Sequence, residues 1–171
     1  MINLRIGYVY EISGYTGRDW AMLAHAGNNK VVAICSDGNR YRHPFAVSNL
    51  LRISSSEFRA IDNRVVIDAG RLSVHICDDN VNYPKPLERF DGFSYGTCLI
   101  NSKCEWFILA QVDTSIVALI DCHGQPLAPP IVVDRVGNIT PSELFRIGVT
   151  EDMLVVGKTF DVLHFNRGYD V

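Results

Sequence analysis

The chain has 171 residues, 47% apolar and 20% charged, with a formal net charge of −3. That balance suits a globular core and excludes a disordered or fibrous chain, while mild acidity excludes the broad basic footprint of a strong nonspecific nucleic-acid binder. There is no apolar run near ~20 residues and no charged segment leading into an apolar one at the N-terminus, so neither membrane spanning nor a standard secretion signal is expected.

In chain order the patterns are mostly β. The first half offers candidate strands at 4–12, 20–26, 30–36, 40–47, 64–68 and 72–77, separated by turn-rich stretches such as SGYTGRD, GNN and SDGN. Asp37-Gly38 sits between two extended runs and predicts a hairpin turn, because Gly takes positive φ at little steric cost. SSSEFRAI at 54–61 predicts a short helix with Ser54 and Glu57 as a reciprocal capping box. The stretch DDNVNYPKP at 78–86 disfavours an internal strand and reads as a joint. Beyond it the plan recurs near 93–100, 104–111, 115–121, 126–133, 152–157 and 159–165, with His123-Gly124 as the second hairpin turn. TPSELFRIG at 140–148 is the second capping box, with Thr140 as N-cap, Pro141 at N1 and Glu143 at N3. Each helix is too short to stand alone and is expected to cover a sheet through Phe58, or through Leu144 and Phe145.

The recurrence extends to residue identities. At an offset of 86, residues 20–61 match 106–147 at 12 of 42 positions, including Trp20/Trp106, Gly38/Gly124, Pro44/Pro130, Glu57/Glu143 and Ile61/Ile147. About 3 matches are expected by chance, so the pattern reads as an internal duplication. Outside this block GYVY at 7–10 faces GFSY at 92–95 at an offset of 85, and AGR at 69–71 faces VGK at 156–158 at 87. The expected fold is therefore mainly β: two tandem copies, 1–84 and 87–171, of a small SH3-like or partly open β-barrel, each with one short helix. Closure into a barrel removes exposed sheet edges.

Chemistry is sought where the halves differ. RYRHP at 40–44 faces PLAPP at 126–130, and the halves carry about +2 and −5. Arg40 and Arg42 on one face of an extended segment suit carboxylates or phosphates, with Tyr41 and His43 on the other. These four residues, with Trp20 if its indole is exposed, form the expected binding surface; the competing account of Trp20 and Trp106 makes them core plugs. Another protein is the expected partner, which makes the chain a non-enzymatic adaptor or inhibitor that occupies a macromolecular surface. RNA or DNA held by the first half is the alternative, with Tyr8, Tyr10, Tyr15 and Tyr41 stacking and Arg18, Arg40, Arg42 and Arg52 near phosphates.

Enzyme signals are weaker. GKT at 157–159 lacks the first glycine of a phosphate loop, Asp152 standing in its place. Adjacent Cys122 and His123 point apart on a strand, with a buried thiol and an exposed turn imidazole as the simpler account. His25, His43, His75 and His164 lack metal-ligand spacing, and Asp37, Asp78 and Asp79 fit turn or joint propensity. No cofactor is implied. A small hydrolase with its site in a cleft between the halves is the remaining alternative. Cys35, Cys77, Cys98, Cys104 and Cys122 form no CxxC pair and read as buried, reduced thiols, which points to the cytoplasm.

Overall fold

The computed structural model describes residues 3–12, 20–61, 65–74, 85–87 and 93–167. Tyr15, Arg18, His75, Cys77, Asp78, Asp79 and most of the expected joint lie outside the described residues. The elements run β1 (Asn3–Leu4), β2 (Val9–Ile12), β3 (Trp20–Gly27), β4 (Lys30–Cys35), β5 (Phe45–Ala46), β6 (Ile53–Ser54), α1 (Ser55–Ile61), β7 (Val65–Val74) and β8 (Lys85–Pro86). They continue as β9 (Thr97–Ile100), β10 (Trp106–Asp113), β11 (Ile116–Asp121), β12 (Ile131–Val132), α2 (Pro141–Arg146), β13 (Leu154–Lys158), α3 (Thr159–Val162) and β14 (Leu163–Arg167).

The protein is mainly β, with two antiparallel six-stranded sheets and no closed barrel among the described residues. The first sheet has the order β14-β7-β2-β3-β4-β5 and the second β12-β11-β10-β9-β13-β8, while β1 pairs with β6. One edge strand crosses over. β14 pairs with β7, so the last strand of the chain completes the first sheet, and β8 pairs with β13 of the second.

Strand periodicity explains the layers. Trp20, Met22 and Ala24 of β3 and Val32 and Ile34 of β4 share one core with Trp106, Ile108 and Ala110 of β10 and Ala118 and Ile120 of β11. The alternate residues Ala21, Leu23, Val31 and Ala33 enter a second core beneath Phe58 of α1, and Phe107, Leu109, Val117 and Leu119 a third beneath Leu144 of α2. Both faces of these strands are therefore dry, which is why their sequences are nearly continuous in apolar residues. Small residues at Ala24, Ala110 and Ala118 leave room in the shared layer for both tryptophans.

Both capping boxes form. The Ser54 hydroxyl accepts from the Glu57 N–H at 3.1 Å while the Ser54 N–H donates to the Glu57 carboxylate at 3.2 Å. Thr140 and Glu143 repeat this at 3.2 and 2.9 Å. Phe58 packs edge-on against Tyr10 and Phe45. Phe145 is instead 79% exposed, and Leu144 alone carries the buried face of α2.

Several expected strands are cut short. After the Asp37-Gly38 turn only Arg40 bridges back to Ile34, and the chain rejoins the sheet at Phe45. Pro44 has no N–H for the ladder and restricts His43, and Pro126, Pro129 and Pro130 shorten 126–133 in the same way. A turn at Gly7, with φ +92, splits 4–12. β7 is one strand that shifts register against β2 between Val9 and Glu11, rather than two strands. The first part of 159–165 is the single turn α3. The Gly7 and Gly96 N–H groups donate to the Leu23 and Leu109 carbonyls at 2.8 and 2.6 Å.

Candidate functional site

Two seams join the sheets. At one, the Asp37-Gly38 turn presses on Gly96, and the Gly38 carbonyl accepts from the Gln111 N–H at 2.9 Å. At the other, the His123-Gly124 turn presses on Gly7, and the Gly124 carbonyl accepts from the His25 N–H at 2.8 Å. His25 and Gln111 are themselves 86 residues apart. The approaches require glycine: a Cβ on Gly38 would lie 2.3 Å from the Gly96 Cα, and one on Gly124 2.5 Å from the Leu23 carbonyl oxygen.

The seams differ in what surrounds them. Beside the first, the Lys158 ammonium donates to the Ser94 hydroxyl and lies 3.5 Å from that of Thr97. Burial lowers its pKa. Thr159, at the start of α3, donates its hydroxyl to the Ser36 carbonyl at 2.6 Å and its N–H to the Gly96 carbonyl at 2.7 Å. Thr159 thus ties this seam across. The second holds a cleft of about 260 Å³ lined by Arg5, Ile6, Gly7, Tyr8, Leu51, Arg71, Cys122, His123 and Gln125. The Arg5 and Arg71 guanidiniums lie 4.8 and 5.9 Å from the Tyr8 ring centroid, within cation–π range. Position by position, Arg71 stands where the first seam has Lys158, and His123 where it has Asp37.

The expected binding surface is only partly brought together. Trp20 is 5% exposed and belongs to the shared core, so its indole takes no part in a surface contact. Tyr41 is buried in the first outer core and carries Arg42 over its ring at 5.4 Å. Arg40 crosses to the second sheet, 3.6 Å from the Asp113 carboxylate, and donates to the Thr114 hydroxyl at 3.0 Å. His43, with a side chain 78% exposed, is 3.5 Å from the same carboxylate. Arg42 and His43 are exposed, and His43 borders a groove of about 350 Å³ with Lys30, Pro44, Asp113, Ile116 and Pro130. The basic and acidic halves thus meet through Arg40.

The inter-sheet cleft brings Cys122 and His123 to one wall. Its thiol is half-buried, and desolvation first and the Asp121 charge second raise its pKa, so it stays protonated near neutrality and is a poor nucleophile. Cys35 and Cys98 are buried and reduced, and burial pushes Cys98 up to about 12. Cys104 departs from expectation: it is exposed, on a tight turn at φ +63. Among the described residues no three His, Cys, Asp or Glu side chains gather in a metal-binding cluster. No helix there is long and apolar enough to cross a membrane.

Arg5, Arg71 and Gln125 were not among the residues singled out from sequence. The signal for Arg71 was nonetheless present, since it is the cation in the AGR/VGK match. Compared with known protein families, curated proteins and solved structures, the chain matches none.

Proposed function

We propose that this chain is a non-enzymatic adaptor or inhibitor that binds another protein through the loop carrying Arg42 and His43. The observation that carries this reading is the anchoring of Arg40 to Asp113 and Thr114, which fixes a loop whose Arg42 and His43 are exposed, His43 beside a groove. Apolar Val112, Ile116, Pro44 and Pro130 line that groove, with the Lys30 ammonium and the His43 imidazole at its rim beside the Asp113 carboxylate that Arg40 engages. Such a surface suits an acidic partner segment carrying an apolar side chain, with charge setting orientation and the apolar residue supplying burial.

The test is recovery of partner complexes by the full chain, with cross-linking to locate the contact. An Arg42→Glu, His43→Glu variant is expected to lose the partner, whereas Phe145→Ser on α2 is expected to keep it. Equal recovery by the charge-reversed protein overturns the reading. RNA or DNA bound by the first half remains the second reading, supported by the Arg5, Tyr8 and Arg71 cluster. Absence of binding to pooled oligonucleotides at low salt removes it.

The same proposal includes the origin of the scaffold as two copies of one SH3-like, partly open barrel, 1–84 and 87–171. Supporting it, β3 and β10, β4 and β11, and α1 and α2 begin 86 residues apart. The Leu4–Ile53 pair that partly closes the first unit has its counterpart in the Phe93–Ile139 bridge. Co-expressed as 1–86 and 87–171, the halves are expected to co-purify through the seams and the crossed-over strand β14. Two folded halves that ignore each other would reject this arrangement.

A further inference from the structure

We infer that the groove of about 350 Å³ beside His43 binds a free apolar α-amino acid, Lys30 taking its carboxylate and Asp113 its ammonium. Both sheets build this groove, at the β3–β4 and β10–β11 hairpin ends. Ala26 and Val112, Lys30 and Ile116, and Pro44 and Pro130 are each 86 residues apart, so corresponding stretches of the two halves line one space. Each half adds a charge that the other lacks: Lys30 stands where the second has Ile116, and Asp113 where the first has Gly27. Both charges are open to a ligand. The Arg40 Nε, the His43 Nδ1 and the Thr114 N–H lie 3.6, 3.5 and 2.8 Å from one carboxylate oxygen of Asp113, Oδ1. Among the described residues the other oxygen, Oδ2, takes no hydrogen bond and Lys30 makes no ion pair.

This pair of charges selects a zwitterion. An anion entering alone is opposed by the Asp113 carboxylate, and a cation alone by the Lys30 ammonium. A ligand with both charges on neighbouring atoms meets both groups with attraction, and the flexible four-carbon stem of Lys30 lets its ammonium follow the ligand's carboxylate. The apolar wall sets the rest of the ligand. Val112, Ile116 and the two proline rings receive an aliphatic or aromatic side chain, whose burial separates leucine or phenylalanine from glycine. The volume lies near the lower end of the range for small-ligand sites, which suits a single amino acid. A ligand seated here requires no partner on the loop carrying Arg42 and His43, so the site stands whether or not that protein contact does.

The test is calorimetric titration of the full chain with L-leucine, L-phenylalanine, glycine, phenethylamine and 3-phenylpropionate. Leucine and phenylalanine are expected to bind, and the other three at least about tenfold more weakly, each lacking the side chain or one charge. Lys30→Gln is expected to lower phenylalanine to the affinity of phenethylamine while leaving phenethylamine no weaker, a pattern that misfolding does not produce. Lys103→Gln, on an exposed turn, is expected to change nothing. Because Asp113 also holds Arg40, its contact is read in the unaltered protein: the Asp113 carboxyl and Ile116 methyl resonances are expected to shift with leucine while the Cys122-His123 turn stays unmoved. Equal affinity for phenylalanine, phenethylamine and 3-phenylpropionate would show an unselective apolar surface and overturn the inference. So would an unchanged preference in Lys30→Gln, leucine shifts centred on the Cys122-His123 turn, or no binding up to about 10 mM leucine.

Discussion

The seams make the sharpest stability prediction, and Gly38→Ala isolates it. Gly38 has φ +83, and an added Cβ would sit 2.3 Å from the Gly96 Cα and 2.4 Å from its N, both backbone atoms that no rotamer change can move. Left-handed backbone costs a non-glycine residue about 1–2 kcal/mol. Forced separation of packed groups adds about 1–3 kcal/mol, and weakening the Gln111 N–H to Gly38 carbonyl bond about 1 kcal/mol more. The expected loss is therefore about 3–6 kcal/mol, a large share of the 5–15 kcal/mol typical of a folded domain. Gly27→Ala is the matched control: its φ is +103, yet nothing lies within 4 Å of the added carbon. It is expected to lose only the backbone part, about 1–2 kcal/mol. Urea unfolding of both variants, compared at a common m-value, reads the difference. Losses within about 0.5 kcal/mol of each other would refute the claim that the seam, rather than the turn conformation, demands glycine.

Trp20→Ala is expected to cost about 3–5 kcal/mol as a core truncation, read by the same unfolding experiment; a cost below ~1 kcal/mol would mean the indole is not in the core. Arg40→Ala and Asp113→Ala are expected to couple by only about 0.5–1 kcal/mol in a double-mutant cycle, weakening with salt, because both partners are partly solvated. In a Cys77→Ser background, Cys104 is expected to react first with a disulfide reagent and Cys98 only after unfolding. The Cys98 pKa is raised on folding from 9.0 to about 12, so its contribution is complete below pH 9 and is lost as pH rises towards 12. The Asp152 carboxylate, held by the Thr150 and Ser102 hydroxyls and the Ser102 N–H, is expected to titrate at about 2 rather than 3.8. It therefore favours the fold above pH 4 and loses that contribution as pH falls towards 2; a carboxyl resonance in Ser102→Ala that still titrates at about 2 would show that Ser102 does not hold it.

Local rules carried a large part of the fold. The Trp20–Gly27 and Lys30–Cys35 strands were legible because β-branched and apolar runs were bounded by Asn and Gly turns, and the helices because hydroxyl and carboxylate stand three residues apart. Barrel closure was an argument about exposed edges, but a sheet can also cover an edge with a distant strand, as β14 does for β7. Periodicity assigns a residue to a face without naming what that face meets. It placed Arg40 apart from Tyr41, but not beside Asp113, which lies 73 positions away. The open cleft was hidden for the same reason: Arg5 and Tyr8 precede Gly7's partner turn at His123-Gly124 by more than 100 residues.

The contrast between the seams traces to one local difference between the halves. In the AGR/VGK alignment, Thr159 occupies the place of Leu72. Leu72 lies within a strand that continues through Val74, and its side chain enters the shared core. Leucine at this position supplies no hydroxyl to the Cys122-His123 turn. Thr159 instead begins α3, where the chain leaves the second sheet, and its side chain and N–H both bind across the seam. The helical turn that lets β14 reach the first sheet therefore also ties one seam. β7 continues past this point without a helical turn, and the other seam holds the cleft, with Arg71 immediately before Leu72 at its wall. The two sheets thus carry similar apolar layers and unequal surfaces.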